Sequence, residues 1–285
     1  MFHYVTENFK YYHFDKKQFE EIVKKLIATK KIIGLRDLKK LQDKKEIIDD
    51  NYVMLTFDDG TIDHYRYVYP ILKKYSVSGV FFVCSNVIHK NILNVQLIHQ
   101  ILSKLSIDEM YIEVQKYIFE NNLKFKIDDI VNINVCNWKE TYIKKLIQTI
   151  LPEEHRKNIL DQLIRKYNIS SDFSDYYMSI ENMLEMKKNN MEFGCHTSEH
   201  NRLSYLGKYE QINEIRENMD ILHKNKIITK KDILSIAYPF GDYNAETVDI
   251  LKSLNFDFAF TTKEENIYKI NRYELPRVDC NALKE

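Results

Sequence analysis

Hydrophobic and polar positions fall in blocks along this chain, and the period of the blocks changes in a regular order. Residues 2–5, Phe-His-Tyr-Val, form a short apolar segment that predicts a strand. Over residues 14–30, Phe19, Ile22, Val23, Leu26 and Ile27 recur at helical spacing with charges opposite, which predicts an amphipathic helix. Ile32 and Ile33 predict a strand, and residues 35–41 a short helix. Residues 53–57 read as a buried strand, 67–75 as the helix after it, and Val80-Phe81-Phe82-Val83 as the next strand. Strand, helix and strand in succession indicate a parallel sheet with crossover helices.

The period then becomes helical throughout. Ile143, Leu146, Ile147 and Ile150 line one face; Ile159, Leu160, Leu163, Ile164 and Tyr167 line another. Pro152 before Glu153 and Glu154 suits a helix start, because proline forfeits no needed donor there and the acids face the positive end of the dipole. The block from about 92 to 178 lacks strand alternation and is expected to be a mainly helical insertion. Alternation resumes with helix 180–188, strand 192–195, helix 209–223, strand 233–237, helix 245–254, strand 258–261 and a short strand near 275–278. The expectation is an α/β fold, residues 1–285 forming one barrel of strand–helix units around that insertion.

Composition narrows the function classes. Lys plus Arg and Asp plus Glu each total 42, so no basic excess favours nucleic acid or an anionic membrane. No apolar run reaches the roughly 20 residues needed to span a bilayer. The N-terminus has no basic region followed by an apolar stretch, so the chain is expected to be cytoplasmic. The four scattered cysteines fit free thiols, and Cys195 is read as core.

The chemistry concentrates after the predicted strands. Asp58 and Asp59 precede Gly60 at a strand end, where both carboxylates can turn into one pocket. Two acids so close need a cation or a fixed positive charge to stay ionised. His196 and His200 follow the strand 192–195 at a spacing of four, which suits two ligands to one metal. Two imidazoles and one carboxylate form the set used by catalytic metal sites with an open position.

Thr56-Phe57-Asp58-Asp59-Gly60 and His196-Thr197-Ser198-Glu199-His200 resemble the first two motifs of the polysaccharide deacetylases, the NodB-homology carbohydrate esterases. Tyr238-Pro239-Phe240-Gly241 resembles the third, and the likeness spans about two thirds of the chain. The resemblance implies a distorted (β/α)7 barrel and metal-dependent removal of an N-acetyl or O-acetyl group from a sugar. It implies Asp58 as general base, and Asp59, His196 and His200 as ligands of a divalent metal, zinc first, with cobalt, nickel or iron as alternatives. It gives the Tyr238 N–H to the oxyanion and Tyr238, Pro239, Phe240 and Gly241 to the substrate.

Two departures from the family pattern shape the expectations. The Arg expected just upstream of Tyr238 is replaced by Leu234-Ser235-Ile236-Ala237, and no His follows His223 to serve as the general acid. A closed barrel brings first and last strands together, so His3 is the expected acid, as in a circularly permuted member, with His64 as its rival. By the same logic Arg277 replaces the missing Arg and orients Asp58. The expected partner is an acetylated amino sugar or glycan precursor, and a homo-oligomer is compatible with the chain. The competing readings are a deformylase or other small-amide hydrolase of the same fold, and a non-catalytic glycan-binding relative.

Overall fold

Short segments become the central strands, and Val80-Phe81-Phe82-Val83 and Phe258-Ala259-Phe260 are apolar on both faces. A computed structural model of the chain describes residues 1–7, 13–44, 49–89, 91–134, 136–170, 173, 175–264 and 271–280. Its strands are β1 (Lys31–Ile32), β2 (Tyr52–Val53), β3 (Thr56–Asp58), β4 (Val80–Val83), β5 (Glu192–Cys195), β6 (Ser235–Ala237) and β7 (Phe258–Phe260). The last five form one parallel sheet in the order β3-β4-β5-β6-β7. All residues of β3, β4, β6 and β7 are buried, as expected where both faces of a parallel sheet are covered. The run expected as one strand over 53–57 divides, since β2 pairs with β1 and only β3 joins the large sheet.

The crossover helices are α1 (Lys16–Thr29), α2 (Leu35–Asp43), α3 (Tyr69–Lys74), α9 (Ile180–Lys188), α10 (Lys208–Lys224) and α11 (Ala245–Ser253). Asp15 and Gln18 make a reciprocal capping box at the start of α1, and Phe19 and Val23 bury its apolar face. The helix expected over 67–75 starts earlier, as a π-helical turn His64–Val68 that runs into α3. Such turns tend to occur at functional sites.

The terminal segments complete the barrel. Phe2 bridges Phe57 in parallel: Phe2 N–H donates to Thr56 O (2.8 Å), and Asp58 N–H donates to Phe2 O (3.1 Å). At the opposite edge Leu275 bridges Phe260, and Cys280 N–H donates to Met1 O at 3.1 Å. Five strands plus two extended terminal segments fill seven positions around the barrel. Phe2, Phe57 and Phe81 stack in series beneath the seam, at 5.4 and 4.8 Å between centroids.

The chain divides into two compact units, one holding the described residues of 1–91 and 174–285, the other those of 92–173. The second comprises α4 (Asn94–Leu102), α5 (Ile107–Glu120), α6 (Ile127–Ile130), α7 (Trp138–Lys145) and α8 (Glu153–Lys166). It has its own core, with Ile98, Met110, Val114, Tyr142, Ile143 and Leu160 buried together. Tyr177 belongs to the first unit, where it bridges Thr61. Among the described residues no helix is long and apolar enough to cross a membrane.

Packing at the sheet centre is tight enough to test. A Cβ at Gly194 of β5 would lie 2.7 Å from both Phe82 Cδ1 and Ser235 Oγ. Gly194→Ala is therefore expected to destabilise the protein by about 1–3 kcal/mol, as overpacked cores do, which denaturant unfolding would measure.

Candidate active site

Parallel strands bring all their carboxyl ends to one rim, where βα loops carry function. β3 ends at Asp58, β5 leads into His196 and β6 into Tyr238. Left-handed backbone is uncommon outside glycine and asparagine and costs about 1–3 kcal/mol where the surroundings impose it. Asp59 (φ 76°), Thr197 (63°), His200 (63°) and Phe240 (58°) all adopt it. Four such residues in three loops of one rim point to backbone set by the needs of a site rather than by local preference.

The histidine loop is held from behind by α10. Asn218 Oδ1 accepts from His196 N–H (3.0 Å), and Asn218 Nδ2 donates to Val83 O (2.9 Å). Glu214 Oε2 accepts from the N–H groups of both Ser198 and Glu199 at 3.0 Å, and its other oxygen accepts from Asn201 Nδ2 at 2.8 Å. Glu214 and Asn218, four apart on one helix face, thus satisfy backbone donors that would otherwise be stranded.

Asp59, His196 and His200 are buried, with one ligand atom from each lying within 4.8 Å of the others. Nε2 of both histidines stands 3.4 Å from Asp59 Oδ1, longer than a normal hydrogen bond. It is close to the roughly 3.3 Å edge of a tetrahedron with zinc–ligand bonds of about 2.0–2.1 Å. His196 Nδ1 donates to Ala237 O at 2.7 Å, which leaves the Nε2 lone pair facing inward, and that buried nitrogen has no hydrogen-bond partner among the described residues. The three residues fit a divalent metal.

The charges agree with this. Burial pushes the His200 imidazole down to about 3, so it is neutral and able to ligate. Burial opposes protonation of His196 too, but the carboxylates of Asp58 and Asp59 raise it overall. Burial would raise Asp59, yet the two imidazoles and His3 hold it well below the usual carboxylate range. The pocket is built around a positive charge.

Asp58 is held by a residue 219 positions away. Arg277 Nη1 and Nη2 donate to its two oxygens at 2.7 and 2.8 Å, and Arg277 Nε donates to Thr261 O at 2.9 Å. Both residues are buried, and the fork geometry is the strong, bidentate form of the contact. Burial works against ionisation of Asp58, but Arg277, helped by His196 and His3, brings it down to about 2.

His3 is partly exposed and sits beside these groups, close enough to act electrostatically on Asp58, Asp59 and His200. Its backbone is fixed through Phe2, and its carbonyl accepts from His64 Nε2 at 3.0 Å. His64 is fully buried against Phe57 and Phe81, and burial pushes its imidazole down to about 4. It acts as a clasp on His3, its ring N–H engaged by the His3 carbonyl.

The Tyr238 expectation needs correcting. Its N–H donates to Phe260 O at 3.0 Å as part of the β6–β7 ladder, and its OH donates to Tyr273 O at 2.9 Å. Tyr238 and Pro239 are buried, so of the four residues assigned to the substrate only Phe240 and Gly241 reach the surface. The amides of Gly241 and Asp242 donate within the turn, to Tyr238 O and Pro239 O. The Phe240 ring packs edge-on against His200 at 4.6 Å, with the Arg202 guanidinium 4.1 Å over its face. Arg202, Glu214 and Asn218 were missed from sequence; polar residues in a loop or on a helix face look solvated until the loop they hold is placed.

The profile of the polysaccharide deacetylase family matches residues 45–116 and 159–259, more than half of the chain. No curated protein matches the sequence. Among solved structures, the Streptococcus pyogenes deacetylase PplD in complex with acetate is similar at TM-score 0.61 and 19% identity, covering 98% of this chain and 89% of that one. IcaB from Ammonifex degensii gives 0.60 at 15%, covering 97% and 88%. A de-N-acetylase from Aggregatibacter actinomycetemcomitans gives 0.56 at 14%, covering 97% and 92%. At these identities the likeness is one of fold.

Proposed function

The chain belongs to the polysaccharide deacetylase family, and from that premise we propose that it hydrolyses the acetyl group of an N-acetylated or O-acetylated sugar, in glycan or surface-polysaccharide biosynthesis, with a bound divalent metal. The observation that carries this reading is the pairing of two carboxylates with different partners. Asp59 faces two imidazoles, and Asp58 faces a guanidinium. A glycan-binding protein without turnover has no use for a buried, ionised carboxylate beside a three-ligand set.

Asp59, His196 and His200 would hold the metal, zinc first among the candidates, and when bound it supplies the Lewis acidity that lowers the pKa of water from about 15.7 toward 7. Asp58 is ionised at any working pH and accepts the proton of the attacking water. Arg277 fixes the carboxylate plane, so one oxygen faces the water while the guanidinium balances the charge. With the neighbouring amides committed, the N–H of Phe240 is the donor left in its turn for the developing oxyanion, a contact worth about 2.7–4 kcal/mol. His3 donates the proton that lets the sugar nitrogen or oxygen leave.

Acetate release from a panel of acetylated amino sugars by metal-loaded protein tests the proposal, and a chelator is expected to stop it. Faster release of formate from formylated sugars would favour the small-amide reading instead. His3→Ala is expected to keep its metal and lose about 10²–10⁴ in turnover, the usual contribution of a general acid. Full turnover in that variant would remove His3 from the mechanism.

A further inference from the structure

Phe240 sits in left-handed backbone (φ 58°, ψ 11°). A β-carbon-bearing residue does not stay there without help from its surroundings. One face of its ring is covered by the Arg202 guanidinium at 4.1 Å, while the ring also packs against His200 at 4.6 Å and 74°. Arg202 is itself braced from the same turn: Nη1 lies 3.7 Å from Asp242 Oδ2, and Asp242 Oδ1 accepts from Ser204 N–H at 2.8 Å. Both partners of the Arg202–Asp242 pair are 18% exposed in their side chains, so the contact is shielded from water without being sealed. The loop after β5, which bears both histidines, is thereby tied at two points to the turn after β6.

We propose that Arg202 is a positioning residue for hydrolysis: it holds the Phe240 ring against His200 and so keeps the Phe240 N–H aimed where the oxyanion develops. This rests on the functional reading above. Planar stacking and the charge contact to Asp242 both come from the guanidinium, and an ammonium supplies only the charge. Without Arg202 the Phe240 backbone is free to leave the left-handed region. Asp58 keeps Arg277, His196 keeps Asn218 and Ala237, and the His200 backbone keeps Thr197 Oγ1. The loss is therefore expected to fall chiefly on the transition state.

Arg202→Met is expected to retain metal, to change KM by no more than about twofold, and to lower kcat by about 10–100-fold, less than removal of an oxyanion donor outright. Arg202→Lys is expected to recover part of that loss. In a Phe240→Gly background, where glycine adopts positive φ unaided and no ring remains to hold, Arg202→Met should change kcat by less than about twofold. An equal loss in both backgrounds, or a loss confined to KM or to metal content, overturns the proposal. A crystal structure of the metal-loaded Arg202→Met protein decides the same point without turnover. Phe240 is expected at negative φ, and a φ still near 58° overturns the positioning role. If the parent releases no acid from any sugar, the functional reading fails, and the crystal structure still tests the clamp.

Discussion

Asp58→Asn is expected to leave metal content intact and to lower acetate release by about 10²–10⁴, whereas Asp59→Ala should lose the metal itself. The two residues are adjacent, buried and acidic, so composition does not separate them. Their partners do. Asp59 Oδ1 stands between two imidazole nitrogens at 3.4 Å, and taking it away leaves a two-histidine site. Metal affinity should then fall by more than the roughly 10–100-fold that follows loss of a ligand's hydrogen-bond partner. Asp58 has its oxygens on Arg277, and an amide of the same shape keeps the cavity filled but cannot take a proton. Metal analysis alongside acetate release reads both effects. Loss of metal from Asp58→Asn with retention in Asp59→Ala would reverse the assignment.

Arg277→Met carries the second large effect, and it acts on stability and activity together. Removing one partner of a buried ion pair strands the other charge, at a cost of about 3–5 kcal/mol. For a unit of this size that corresponds to a fall in Tm on the order of 10 °C. The Arg277 side chain also donates to Thr261, so its loss loosens the C-terminal segment from the end of β7 as well as from β3. The pH dependence has a definite sign. Asp58 is depressed to about 2 in the folded protein against about 3.9 for a free Asp side chain, so its stabilisation is complete above about pH 4 and is lost as pH falls toward 2. Without the guanidinium, burial becomes the dominant influence and moves the carboxyl up. The acid limb of the pH–rate profile is therefore expected to rise in Arg277→Met and to return toward the parent in Arg277→Lys. A variant with unchanged melting and an unchanged acid limb would show that the pair matters to neither.

The strand ends and their loops were legible because their signals are local. Val80–Val83 is a short apolar run and 193–195 a short segment of small and apolar residues, and the polar residues that follow such strands had to fall on one rim of a parallel sheet. The Tyr238 amide was misassigned for a reason sequence does not contain. Which N–H of a turn is spare depends on where the neighbouring strand ends, and β7 extends far enough for Phe260 O to take it. The π-helical start at His64 was likewise invisible, since an added residue in a turn leaves the apolar spacing nearly unchanged.

By itself, then, the sequence determined which side chains stand at the strand ends, Asp58 with Asp59 and His196 with His200, because adjacent strand-end carboxylates and a four-residue histidine spacing are each set within a few residues of chain. Tertiary structure alone decided what surrounds them. Barrel closure set Arg277 on Asp58 across 219 positions and carried His3 to the same rim, while packing of α10 and Arg202 selected backbone conformations that their residues would not otherwise adopt. Those contacts link segments with no local relation, so their geometry exists only once the sheet has curved and its ends have met.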